Sequence, residues 1–291
     1  MAVQFLLNGL IAGSLYALLA VGFVLIFTTG KFFHMAHGAV YAVGAYTTWF
    51  LYSHGVSLVI SIPLSIVAGL GLGWLIDRFA YSHLRARKAS GLVLFIASLG
   101  LLIFFQGALA TLFGNEVQVL RLHEEPKVYK VLGGTITATQ VYILLVSAIL
   151  LALIAYLLKR TRLGLSMRAT ADSKELAELC GVRTERVLLA AVLISSGCGA
   201  LAGTLVALER NVEPTMGFSA ILYAIVASII GGIANVFGAF LGAFSLGTLE
   251  TLTLWQLPSE YKDAVTFGVL FLFLMFRPYG LLGARPPRDG R

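Results

Sequence analysis

The apolar residues of this chain fall in continuous blocks separated by short polar stretches, at 5–27, 32–52, 58–76, 92–113, 140–158, 187–208, 218–233, 237–255 and 264–276. Most blocks run to about 17–23 residues, the length that crosses ~30 Å of hydrocarbon at ~1.5 Å per residue. Within a block, apolar and polar positions do not alternate, which argues against a transmembrane barrel. The pattern predicts an all-α, polytopic helical membrane protein with about eight (seven to nine) transmembrane helices, and no soluble domain fits between the blocks. The count stays open for two reasons. The block at 32–52 carries His34 and His37 and reads as a span or as a broken, partly re-entrant helix, and 218–233 is barely long enough to cross. Gly9 with Gly13, and Gly69 with Gly73, place small residues four apart for close helix packing.

Composition sharpens this reading. The chain is 58% hydrophobic and 12% charged, where a soluble domain carries about 25% charged residues. The formal charge of +7 raises nucleic acid as a partner, but no basic patch with interleaved aromatics exists. Sixteen of the 21 basic residues lie at Lys31, in 77–90, in 159–186 and in the tail from 277; Arg121, Lys127, Lys130, Arg210 and Lys262 fall on the opposite side. The positive-inside rule then puts the N-terminus outside and the C-terminus in the cytoplasm, with the lipid bilayer as the surrounding partner. Cys180 and Cys198 lack metal-ligand spacing and read as structural. The start, MAVQFLLNGL, lacks the basic region of a signal peptide, so the first span is expected to be retained.

The longest charged stretch, 159–187, separates two spans. Its middle, 169–180, fits one short amphipathic helix, with Ala169, Leu176, Ala177 and Leu179 apolar and Asp172, Glu175 and Glu178 opposite. Gly181 stands where a C-capping glycine would end it. The stretch reads either as a rigid handle for a cytoplasmic partner or as a solvated connector whose arginines fix topology. Glu250 sits within an apolar arm; it is either a pathway group for a substrate ammonium or a hydrogen-bonded packing group near the outer surface. His37, beside Gly38 and one turn before Tyr41, is a pathway group or a packed histidine, and His34–His37 has no third metal ligand. Gly231-Gly232 is a hinge at membrane depth or a plain cytoplasmic turn.

Glu175-x-Ala177-x-x-x-Gly181 resembles the E-A-A-x-x-x-G core of the cytoplasmic loop in ABC importer permeases, and RATADSKELAELCGVRTERV resembles that loop in the bacterial high-affinity branched-chain amino acid permeases. MAHGAVYAVGAY, IIGGIANVFGAFLGAFSLGTLE and EYKDAVTFGVLFLFLMFRPYGLLG resemble the same family, in order along nearly the whole chain. The chain departs from the family pattern at His34 and at Ala234-Asn235, which bears on the substrate. The resemblance implies a type II ABC-importer-like permease, one domain over 1–291, in a bacterial inner membrane. It implies cytoplasmic ATPase subunits docking at 159–187, through Arg168, Asp172, Glu175, Ala177 and Gly181. It also implies a second, non-identical permease subunit, a periplasmic binding protein, and alternating access for branched-chain or similar small amino acids. Urea or a short amide is the alternative cargo. An ion-coupled secondary transporter is the alternative of another class, and it would need more than one acidic residue in the spans. The sequence has no G-x-x-x-x-G-K-[ST], so it is read as a transport subunit rather than an enzyme, with no cofactor of its own and ATP used by its partners.

Overall fold

The computed structural model describes residues 2–120, 127–131, 133–256, 258 and 261–283. Arg121, Lys127's neighbour Pro126, Glu260 and the tail arginines Arg285, Arg288 and Arg291 lie outside the described residues.

Helix α1 (Ala2–Gly30) is the buried axis of the bundle. Its Gly9 and Gly13 face α11 (Val236–Gln256), where a Cβ would stand 2.8 Å from the Thr248 Cα and 2.9 Å from the Phe244 Cα. The expected small-residue face is therefore a real helix contact, closed by backbone proximity rather than by side-chain bulk. The chain then leaves the helix at Lys31, breaks from helical structure through 32–36 and enters α2 (His37–Ser53), which is unbroken. The break is tolerated because its backbone is satisfied: Ser98 of α5 (Gly91–Phe113) accepts from Met35 N at 3.1 Å and donates to Phe33 O at 3.0 Å.

Helix α3 (Leu58–Ile76) does not end in a loop, as the polar composition of 77–90 predicts. It passes through a π turn at Asp77–Tyr81 into α4 (Ser82–Ala86). Two contacts hold the turn: Tyr81 is fully buried, and Arg85 reaches back to both Asp77 oxygens at 2.8 and 3.3 Å. The stretch after α5, mixed in charge and rich in turn residues, contains a pair of strands. Strands β1 (Val128–Val131) and β2 (Gly134–Thr137) form an antiparallel hairpin with Val128 opposite Thr137 and Val131 opposite Gly134. Gly133, at φ +84°, supplies the turn conformation that L side chains avoid. Gln4 of α1 grips the hairpin, accepting from Thr135 N at 2.7 Å and donating to Thr135 O at 3.0 Å.

A Thr137–Gln140 capping box starts α6 (Ala138–Arg160). The single helix expected over 169–180 is two, α7 (Arg162–Asp172) and α8 (Lys174–Leu179). Ser173 separates them because it is extended (φ −151°) and its Oγ caps the Leu176 amide at 3.3 Å. Helices α9 (Thr184–Glu209), α10 (Met216–Gly231), α11 and α12 (Lys262–Phe276) complete the bundle. Gly69 and Gly73 of α3 pack on Ala200 and Ser196 of α9. Thr204 of α9 bonds Ser65 of α3 at 2.6 Å and Thr48 of α2 at 2.9 Å, a buried hydroxyl cluster joining three helices.

Among the described residues six helices are long and apolar enough to cross a membrane, and α10 is apolar but shorter. The polytopic helical architecture stands, with the small hairpin at one end. That end is tied by Gln140 to Glu209 (2.7 Å) and by the Gln118–Val212 bridge. The opposite end gathers the basic segments. Arg85 meets Glu185, Lys159 sits 4.3 Å over the Phe237 ring, and the residues after α12 return to the α10–α11 corner.

Candidate functional site

A cavity of about 280 Å³ opens at the hairpin end, between α1, α2, α10, the end of α9 and the start of α12. Its walls divide by chemistry. Ala12, Leu15, Leu19, Val206, Met216 and Ala220 give an apolar side. Tyr16, Tyr41, Tyr223, Arg210, Glu213, Lys262 and Asp263 give a polar one.

The polar groups are not equally available. Glu250 of α11, 3% exposed, is held behind the wall by Lys262 at 2.6 Å and by the Tyr16 hydroxyl. Asp263 accepts from the Tyr223 hydroxyl, and Lys262 also lies 4.9 Å from the Tyr223 ring centre. Arg210 and Glu213 have no ion-pair partner among the described residues. Partial desolvation opposes the Arg210 charge, but the side chain keeps solvent exposure, and Tyr16, Glu250, Tyr41 and Glu209 around it hold the guanidinium above its ordinary pKa. The cavity thus presents, outside the ion pairs of the described residues, the Arg210 guanidinium and the Glu213 and Asp263 carboxylates beside an apolar side.

Most residues singled out from sequence lie elsewhere. Tyr41 lines the cavity. His37 does not: it is fully buried, 3.1 Å from Ser195 Oγ, and wedged where a Cβ on Gly22 or Gly199 would touch its ring. His37 is thus packed inside the bundle and outside the lining of this cavity. No group of three His, Cys, Asp or Glu side chains gathers around it among the described residues. Gly38, the second residue of α2, meets Gly217, the second residue of α10, backbone to backbone, and marks a helix contact. Gly231 packs on Gly238. Gly232, at φ +111°, turns the chain into α11 beside Gly280 and Gly283. That pair is a corner at the basic end, away from the cavity. Glu250 is not a free carboxylate for a substrate ammonium, because Lys262 already provides one.

The loop residues divide similarly. Ala177 is 4% exposed and anchors α8. Arg168, Asp172 and Glu175 face outward, and Leu176 and Leu179 are 63% and 83% exposed. Gly181 has φ +82°, and the bonds Val182 N to Ala177 O (3.0 Å) and Gly181 N to Glu178 O (2.9 Å) close a Schellman cap. Met167 of α7 packs with Val21 and Leu25 of α1, so the loop is seated on the bundle rather than loose in solvent.

A family model described as branched-chain amino acid transport system / permease component matches residues 5–274. The chain belongs to that permease family. It is 31% identical over 301 residues to the high-affinity branched-chain amino acid transport system permease protein LivH of Escherichia coli strain K12, covering 96% of this chain and 95% of that protein. To the permease protein BraD of Pseudomonas aeruginosa it is 31% identical over 294 residues, with the same coverage. The solved structure of PsaBC from Streptococcus pneumoniae in complex with Fab matches with a TM-score of 0.56 at 12% identity, covering 95% of this chain and 93% of that chain, a likeness of fold. This permease is a multi-pass membrane transport subunit and not an enzyme.

Sequence reasoning missed Arg210, Tyr16, Tyr223, Lys262 and Asp263. A faint signal existed: Arg210 and Lys262 are among the few basic residues on the acidic-leaning side of the charge count.

Proposed function

We propose that this permease is the membrane subunit of an ATP-binding-cassette importer that carries zwitterionic amino acids with aliphatic side chains. The carrying observation is the cavity, with Arg210 for a carboxylate, Glu213 for an ammonium, and the Leu15–Leu19–Val206 side for a hydrocarbon chain. Urea needs neither fixed charge, so the site favours an amino acid over urea or a short amide. LivH and BraD, named for branched-chain amino acid transport, support the same class.

In this reading the basic end faces the cytoplasm, which puts the N-terminus outside and the cavity toward the periplasm of a bacterial inner membrane. A periplasmic binding protein delivers substrate there. ATPase subunits dock on α7 and α8 through Arg168, Asp172, Glu175 and the exposed Leu176 and Leu179, with Ala177 and Gly181 holding the shape. A second, non-identical permease completes the pathway. ATP is bound by the partners.

The test is uptake by the reassembled importer in proteoliposomes. Arg210→Gln removes a charged hydrogen-bond donor, worth about 2 kcal/mol, and is expected to weaken leucine uptake roughly thirtyfold. Leucine uptake that is intact in a strain lacking the chain, with urea uptake lost, would overturn the substrate assignment.

A further inference from the structure

From the docking helices to the break before α2 runs a line of polar contacts, joined through the π turn, that transport of a zwitterion does not itself require. Lys174, the first residue of α8, reaches Glu185 of α9 at 3.2 Å. Glu185 accepts from Arg85 Nε at 2.9 Å, and Arg85 holds Asp77 through two nitrogens. Asp77 and Tyr81 bracket the π turn, and the Tyr81 hydroxyl lies 2.6 Å from His34 Nδ1. His34 stands in the non-helical break that leads into α2, and Tyr41, one turn inside α2, is in the cavity wall.

We infer that Tyr81 and Arg85 are positioning residues that carry displacement of the ATPase-docking helices to the break before α2, and so to the cavity. The inference rests on the docking assignment made above. Three features give the line mechanical sense. First, it stiffens inward. Lys174 and Glu185 are 46% and 56% exposed, so their pair is weak and adjustable, whereas Arg85 and Asp77 are 11% and 6% exposed and joined by a two-nitrogen grip. Second, π turns are inserted residues that re-aim side chains, and this one puts Tyr81 into the core against Phe32 and His34. Third, the receiving segment is joined to α2 by hydrogen bonds. Residues 32–36 lie outside any helix, and the Met35 and Ala36 carbonyls accept the Gly38 and Val40 amides at 3.0 and 3.2 Å, so a displacement of the segment is passed directly to the first turn of α2.

The complete importer in proteoliposomes, with leucine uptake and ATP hydrolysis measured together, decides the matter. Tyr81→Phe keeps the ring in the core and removes only the hydroxyl that meets His34. It is expected to lower leucine imported per ATP about tenfold while hydrolysis stays within about twofold of wild type. Arg85→Gln is expected to do the same, and the double variant to be no worse than either single one, because both interrupt one line. An unchanged ratio of uptake to hydrolysis in both variants, whether the two activities are intact or fall together, overturns the inference, as does strict additivity. Co-purification separates this from the underlying reading. ATPase binding that survives Glu175→Lys and Gly181→Asp sinks the docking assignment and the inference with it. Binding lost in those two variants, with an unchanged ratio in Tyr81→Phe, sinks the inference alone.

Discussion

Replacing Lys262 by methionine is expected to destabilise the permease far more than a change at a cavity mouth ordinarily would. Lys262 Nζ stands 2.6 Å from Glu250 Oε1, and Glu250 is 3% exposed while the Lys262 side chain is 20% exposed. At that separation, and an effective dielectric near 20, the pair's gross attraction is about 6 kcal/mol. Desolvation of both groups cancels much of it, so the net worth of the pair against an apolar substitute is small. Breaking it from one side is another matter. Lys262→Met leaves a buried carboxylate with the Tyr16 hydroxyl as its remaining close partner, at a cost of about 3–5 kcal/mol. Glu250→Gln is milder, because the amide still accepts from Tyr16 and the stranded ammonium can turn toward water. The double variant Glu250→Gln, Lys262→Met is expected to recover most of the loss. Equilibrium unfolding of the purified complex in mixed micelles, followed by tryptophan fluorescence, measures all four proteins. Lys262→Met within about 0.5 kcal/mol of wild type, or a double variant equal to the sum of the singles, would refute the reasoning.

Further outcomes follow from the helix contacts. Gly203→Ala places a methyl against the Tyr41 carbonyl and the Ala45 amide, and is expected to cost about 1–3 kcal/mol in the same unfolding assay. Gly181→Ala meets no neighbouring atom but must hold φ +82°, so a loss of about 1–2 kcal/mol in local stability is expected, read as faster amide exchange at Val182. Thr204→Val leaves the Ser65 and Thr48 hydroxyls without their shared partner, and about 1 kcal/mol of stability is expected to go, with little effect on uptake.

The membrane helices were legible in the sequence because their signal is local: continuous apolar length needs no knowledge of neighbours. The boundaries of α3 at Leu58–Ile76 and the C-capping role of Gly181 could be read from composition and a turn rule alone. The π turn could not be. Asp77, Arg78 and Tyr81 look like the start of a loop until Arg85 and the buried Tyr81 ring are seen to hold them in helix. The hairpin left a trace, two β-branched runs about Gly133, which the surrounding mixed charge obscured. The cavity was the least legible part, since Tyr16, Tyr41, Arg210, Tyr223 and Lys262 come from five elements far apart in the chain. Glu250 drew notice as an isolated carboxylate. Its partner lies across a connector on another helix, where sequence distance says nothing of the 2.6 Å separation.

The return of the chain after α12 has a consequence for biosynthesis. Leu281 N bonds Ile230 O at 2.8 Å, Leu282 N bonds Gly231 O at 3.0 Å, and Asn235 donates to Leu282 O at 3.2 Å. The last carbonyls of α10 therefore stay without these partners throughout synthesis of α11 and α12, and the corner closes only when Leu281 and Leu282 have left the ribosome. A product truncated just after Phe276 would carry the membrane helices among the described residues yet leave two backbone oxygens at the α10–α11 corner open.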